Sequence, residues 1–190
     1  MNQKTVTVVS GLPRSGTSLM MKMLESGGME VLTDNVRQAD EDNPKGYYEF
    51  ERVKQIKHDQ AWLEDARGKS VKMVSALLKH LPGSYAYKVI FMRRKMEEIL
   101  ASQKRMLVRR EEPTDKANDE AMAAWFHKHL KKVEAWLAGQ PNIDVIYVSY
   151  SDILEDPAQQ AKRVNQFLGN ALDEKKMVGV VDPTLYRQRR

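Results

Sequence analysis

The chain has 190 residues, 42% of them hydrophobic and 30% charged, with no cysteine and a formal net charge of +5. That length suits one domain spanning residues 1–190, and the missing cysteines exclude disulfides and a thiolate zinc site. No run approaches the roughly 20 apolar residues that cross a bilayer, and the N-terminal segment lacks the features of a signal peptide, so a cytoplasmic protein without a membrane span is the default expectation.

A sequence pI near 9.3 suits nucleic acid, an acidic membrane surface or a small polyanion equally well. The basic residues cluster: Arg93, Arg94, Lys95, Lys104, Arg105, Arg109 and Arg110 share one stretch, and Arg187, Arg189 and Arg190 crowd the C-terminal end. No aromatic residues interleave with them and no nucleic-acid-reading motif is present, so nucleic acid is not an expected partner.

In chain order, Thr5 to Ser10 is β-branched and almost continuously apolar, the pattern of a buried parallel strand. The loop Gly11-Leu12-Pro13-Arg14-Ser15-Gly16-Thr17-Ser18 follows, then good helix formers to Glu25, stopped by Gly27-Gly28. Met29 to Thr33 reads as a short second strand, and Asp34 to Tyr48 as a polar loop carrying Asn43-Pro44-Lys45-Gly46. Glu51 to Arg67 reads as helix. Ser70 to Val74 and Tyr87 to Met92 read as strands, with a short helix around Leu77, Leu78 and Leu81 between them. Glu97 to Arg110 has a helical pattern, and Pro113-Thr114-Asp115 breaks it. Asn118 to Leu137 is a long amphipathic helix, Asp144 to Ser149 a fifth strand, and Ala158 to Leu168 a helix closed by Gly169. This alternation predicts a three-layer α/β/α fold around a parallel sheet of about five strands.

The loop after the first strand carries the chemistry. Backbone N–H groups of such a loop converge on an anion, and the following helix adds the partial positive charge of its N-terminus. Gly11 and Gly16 have the spacing of the NTPase motif G-x-x-x-x-G-K-[ST], and Ser18 fills its last hydroxyl position. Thr17 stands where that motif has a lysine reaching the β- and γ-phosphates, while a positive charge sits inside the loop at Arg14. A P-loop kinase or NTPase is therefore the second reading, and a non-catalytic nucleotide- or nucleic-acid-binding protein the third.

Leu12 to Met20 resembles the 5′-phosphosulfate loop of the sulfotransferases, P-[KR]-S-G-T-[ST], with the arginine form of bacterial and tyrosylprotein sulfotransferases. The resemblance implies a P-loop-like fold and the sulfate donor 3′-phosphoadenosine 5′-phosphosulfate (PAPS). It implies that Pro13, Arg14, Ser15, Gly16, Thr17 and Ser18 hold the phosphosulfate, with Arg14 stabilising charge on the leaving phosphate. The family's second element, an arginine followed eight positions on by a serine, binds the 3′-phosphate; Arg94 and Ser102 have that spacing. Met96 replaces the proline usual beside that arginine. Tyr147 to Pro157 and Asp182 to Arg187 resemble later family segments more loosely, bringing Tyr150 and Arg187 toward the nucleotide.

Sulfuryl transfer to a hydroxyl or amine benefits from a base that removes the acceptor's proton. In the K-x-H arrangement of many cytosolic sulfotransferases, Lys72 is kept and Val74 replaces the histidine. The tyrosylprotein enzymes use a glutamate whose place falls on Asn35, beside Asp34; Glu49 is a second candidate. The expected catalytic set is Arg14, Lys72 and either Asp34 or Glu49. His58, His80, His127 and His129 all fall on helical segments. No cluster has metal-ligand spacing, and arginine, lysine and backbone amides can supply the positive field alone, so no metal is expected. The acceptor, a small molecule or peptide, would meet the variable loops Asp34 to Tyr48 and Arg109 to Ala117. Trp125 and Trp136 suit an interface or a core equally, which leaves the oligomeric state open.

Overall fold

The computed structural model describes residues 5–34, 48–109 and 117–182. Asn35, Arg110 and Arg187, most of both acceptor-facing loops, and the basic C-terminal end lie outside the described residues.

Five strands, β1 (Thr5–Gly11), β2 (Val31–Leu32), β3 (Ser70–Val74), β4 (Ala86–Arg93) and β5 (Ile143–Ser149), form one sheet in the order β2-β3-β1-β4-β5. Every pairing is parallel. β1 is central and alternates between two cores. Val6 and Val8 face one, with Val71, Val89, Phe91 and Trp62, whereas Val9 faces the other, with Met20, Met21, Ile90 and Val164. Burial on both faces explains why β1 reads as a continuous apolar run rather than an alternating one.

Six helices accompany the strands among the described residues: α1 (Thr17–Ser26), α2 (Met96–Arg109), α3 (Ala117–Ala138), α4 (Tyr150–Glu155), α5 (Pro157–Leu168) and α6 (Glu174–Gly179). α1, α5 and α6 cover the Val9 face, and α3 packs on the other. The chain leaves β1 toward β3 and β2, and leaves β4 toward β5. A crevice therefore opens between β1 and β4 at the carboxyl ends of the strands, the usual ligand position in such sheets.

The expected helix over Glu51–Arg67 is instead two short 3-10 turns, Glu51–Gln55 and Ala61–Leu63. Asp59 is the cause. Its carboxylate accepts from the Ala61 N–H at 3.2 Å and from Arg52, and its carbonyl accepts from the Trp62 indole at 3.1 Å. These local bonds offer the backbone an alternative to a continuous helix. β2 has only two residues, shorter than the expected Met29–Thr33, because it is an edge strand paired on one side to β3. No helix among the described residues is long and apolar enough to cross a membrane.

Candidate active site

The turn from β1 into α1 is built on positive-φ residues: Gly11 at 151°, Arg14 at 69° and Gly16 at 99°. A Cβ on Gly11 would lie 2.5 Å from Ser15 Oγ and 2.7 Å from the Met92 carbonyl oxygen; one on Gly16 would lie 2.5 Å from Tyr150 Cδ2. Both positions therefore need glycine for space as well as for dihedral angle. Arg14 holds a left-handed conformation that costs a non-glycine residue roughly 1–2 kcal/mol. The Ser15 hydroxyl donates to the Leu12 carbonyl at 2.7 Å and the Ser15 N–H to the same oxygen at 3.2 Å, so in this conformation Ser15 shapes the loop. Pro13 is exposed, and Thr17 and Ser18 are half-buried at the start of α1. The first turn of α1 has no acidic residue to compete with an incoming anion.

β4 delivers the second half of the site. Gly11 pairs in register with Met92, so the residues that follow Met92 emerge beside the loop. Arg93 and Arg94 diverge there. Arg93 stacks on Tyr147 at 4.0 Å and bonds Glu134 at 2.7 Å. Arg94 turns toward the loop, donating from Nη1 to the Arg14 carbonyl at 3.0 Å and from Nε to Glu98 at 2.8 Å. α2 begins at Met96, which places Ser102 on the same face as Glu98, one turn further on. Ser102 Oγ accepts from Arg14 Nε at 3.0 Å. The two sequence elements, read separately as a 5′ cradle and a 3′-phosphate pair, thus meet through two hydrogen bonds.

Tyr150, the first residue of α4, is buried with its ring against Gly16 and 4.4 Å from the Arg94 guanidinium carbon. Burial raises its phenol pKa above the ordinary range; Arg94 and Arg14 act in the opposite sense and do not cancel it. The phenol is therefore neutral at physiological pH. From β3, Lys72 Nζ reaches Ser18 Oγ at 3.5 Å, so the retained lysine lies at the start of α1.

The two carboxylate candidates are neighbours in the segment beyond the carboxyl end of β2, the edge strand beside β3. The Asp34 N–H donates to the Glu49 carbonyl at 3.2 Å, as does the Thr33 hydroxyl at 2.9 Å. Asp34 Oδ2 accepts from the Glu51 N–H at 2.6 Å, holding the start of the 3-10 turn. Val74 ends β3 with 44% of its surface exposed. Ser75, next in sequence, is buried, with its Oγ 2.8 Å from His129 Nε2, and His129 stacks on the exposed Trp125 at 5.5 Å and 7°. Burial lowers the His129 pKa, and Lys79 and Lys132 lower it further.

A cleft of about 120 Å³ lies over the junction of the two halves, lined by Leu12, Ser15, Met92, Arg94, His127 and Leu130 among others. Two features of the candidate site escape a sequence reading. His127 lies on a helix and reaches the cleft only through the packing of α3. Glu98 pairs with Arg94, and the four-residue spacing of opposite charges was the available signal. No group of three or more metal-ligating side chains exists among the described residues.

Together these features define an α/β protein with a glycine loop and helix N-terminus after its first strand, a candidate anion cradle, and a second cationic element after its fourth. The model of the sulfotransferase family matches residues 44–174. The chain belongs to the sulfotransferase family. The matched span holds Arg94, Ser102 and Tyr150; the loop Gly11 to Ser18 lies before it.

No curated protein matches the chain in sequence. Among solved structures, it is similar to a mouse sulfotransferase, SULT7A1, complexed with PAP (15% identity, TM-score 0.55, 98% of this chain and 64% of that one). It is also similar to the sulfotransferase domain from the curacin biosynthetic pathway (15% identity, TM-score 0.53, 94% and 78%). A third similar structure is a retinol dehydratase in complex with androsterone and the inactive cofactor PAP (16% identity, TM-score 0.50, 98% and 65%). At these identities the likeness establishes the P-loop-like fold. The chain spans just under two thirds of the length of the first and third of these proteins.

Proposed function

We propose that the chain transfers a sulfuryl group from PAPS to a hydroxyl or amine of a small-molecule or peptide acceptor, releasing adenosine 3′,5′-bisphosphate. The observation that carries this reading is the joining of Arg14 to Ser102 and of Arg94 to the Arg14 carbonyl, both at 3.0 Å. A single compact cationic site of this kind suits a nucleotide with phosphates at both the 5′ and 3′ positions. The membership of the chain in the sulfotransferase family and the PAP-bound state of two structures sharing its fold support the same donor.

In this reading the loop amides, Thr17 and Ser18 hold the 5′-phosphosulfate, and Ser15 keeps the loop in shape. The acceptor oxygen or nitrogen attacks sulfur in line, its new bond forms, and the bond from sulfur to the 5′-phosphate oxygen breaks. Negative charge develops on that phosphate, where Arg14, Lys72 and the N-terminus of α1 stabilise it. Arg94 and Ser102 take the 3′-phosphate, Tyr150 backs the loop, and Arg187 is a further nucleotide-binding residue. Asp34 or Glu49 takes the acceptor's proton. No metal is required. A cysteine-free chain suits a reducing compartment, so the reading places the activity in the cytoplasm.

The test is transfer of radiolabel from sulfur-labelled PAPS to a panel of phenols, alcohols, amines and tyrosine peptides, run beside γ-labelled ATP. Sulfuryl transfer without phosphoryl transfer is the expected result. Phosphoryl transfer from ATP alone would return the chain to the kinase reading.

A further inference from the structure

Glu98 is a buried carboxylate that no step of the proposed reaction uses. It is 4% exposed and faces an Arg94 side chain that is 9% exposed. α2 starts at Met96, so Glu98 lies in its first turn, four residues after Arg94 and four before Ser102. That spacing puts the carboxylate between the two residues proposed to read the 3′-phosphate.

The Arg94 guanidinium is held from three directions. Its Nε donates to Glu98 Oε2 at 2.8 Å, its Nη1 donates to the Arg14 carbonyl at 3.0 Å, and its carbon lies 4.4 Å from the Tyr150 ring. A guanidinium is a rigid plane, so bonds at two of its nitrogens fix both its position and its rotation. Arginine grips a phosphate through parallel hydrogen bonds only when that plane is correctly turned. The Glu98 carboxylate also cancels the charge of Arg94, which by itself weakens attraction for an anion. Its contribution to phosphate binding must then come from geometry.

We propose that Glu98 is a positioning residue that holds Arg94 in the orientation that receives a nucleotide 3′-phosphate, and so sets the preference for a 3′-phosphorylated nucleotide. This rests on the donor reading above. Two consequences separate positioning from charge. A glutamine at this place keeps an acceptor oxygen at the same reach while losing the charge. An aspartate keeps the charge but is one methylene too short to hold the Arg94 Nε.

The experiment is calorimetric titration of the full chain and of Glu98→Gln, Glu98→Asp and Glu98→Ala with adenosine 3′,5′-bisphosphate and with adenosine 5′-phosphate. The readout is the ratio of the two Kd values, which a general loss of structure does not move selectively. Glu98→Gln is expected to keep the wild-type ratio to within about threefold. Glu98→Asp and Glu98→Ala are expected to lower it at least about tenfold, the loss of one charge-assisted contact. Should Glu98→Ala fail to fold, the glutamine and aspartate variants decide. An unchanged ratio in Glu98→Asp, or retention in Asp with loss in Gln, overturns the positioning role while leaving the donor reading intact. A wild-type chain that binds both nucleotides equally overturns the donor reading, and the role of Glu98 falls with it.

Discussion

Arg14 and Ser102 are 88 positions apart in sequence and are joined by a 3.0 Å hydrogen bond from Nε to Oγ. The first belongs to the loop after β1 and the second to the face of α2 that follows β4. Parallel pairing of β1 with β4 brings the two together, and Arg94 adds a second tie through the Arg14 carbonyl. The two ends of a bisphosphorylated nucleotide would therefore meet one connected set of side chains.

Arg14→Ala is expected to weaken adenosine 3′,5′-bisphosphate binding about 10- to 150-fold, the equivalent of the roughly 1.5–3 kcal/mol of a charged hydrogen bond. Ser102→Ala is expected to do less, about fivefold, and only for nucleotides with a 3′-phosphate. Calorimetry with both nucleotides checks both substitutions. Equal losses for the two nucleotides in Ser102→Ala would remove it from the 3′ site.

Lys72→Met should separate rate from binding. Lys72 Nζ reaches Ser18 at the start of α1, where the proposed reaction develops charge as the sulfuryl group leaves. The expected outcome is a fall in kcat of about 100-fold with bisphosphate affinity changed far less, because the interaction is strongest in the transition state. Single-turnover kinetics with saturating PAPS gives the measurement. Loss of donor affinity without loss of kcat would make Lys72 a ground-state contact.

Gly11→Ala and Gly16→Ala are expected to destabilise the fold by at least about 2 kcal/mol each, combining positive-φ strain with overpacking. At Gly11 the added carbon meets the Met92 backbone oxygen at 2.7 Å, which cannot rotate away. At Gly16 it meets the Tyr150 ring at 2.5 Å, so the Tyr150→Ala background should relieve part of the steric cost. Urea unfolding of the single and double variants tests this, and an additive pair would show that the ring is not the obstacle.

His129 gives the fold a pH dependence with a defined sign. Burial, Lys79 and Lys132 lower its pKa below the ordinary value of 6.5. The unfolded chain therefore takes up this proton first as pH falls. The contribution of neutral His129 is fully present above the unfolded value and is lost on acidification through the folded one. His129→Gln should flatten this part of the stability profile, measured by urea unfolding from pH 8 to pH 5. A profile identical to wild type would mean that His129 titrates as it does in the unfolded chain.

Much of the fold was legible because its central strands β1 and β4 are buried on both faces and its glycines mark the turns. Ser70–Val74 is the same segment in sequence and structure, and the strand and helix around Arg94 differ only by a residue or two at their ends. The segment after Glu51 was not legible, since its good helix formers are overridden by the bonds that Asp59 makes to neighbouring backbone. α4 and α6, each of six residues, are too short for a periodic pattern to appear. At the candidate site, motif spacing singled out Arg14, Arg94, Ser102 and Lys72. Spacing carries no information on what each side chain touches: it could not show that the Ser15 hydroxyl turns inward to Leu12, or that the Asp34 carboxylate holds the Glu51 N–H. Those contacts depend on packing between segments far apart in the chain.

A connected site of this kind should take a nucleotide phosphorylated at both ends. Titration of the wild-type chain with adenosine 3′,5′-bisphosphate and adenosine 5′-phosphate, in buffer containing a metal chelator, tests it most directly. Saturable binding of both is expected, with the bisphosphate tighter by at least about tenfold, one charge-assisted phosphate contact. Equal affinity for the two nucleotides, or binding that appears only when magnesium replaces the chelator, would contradict it.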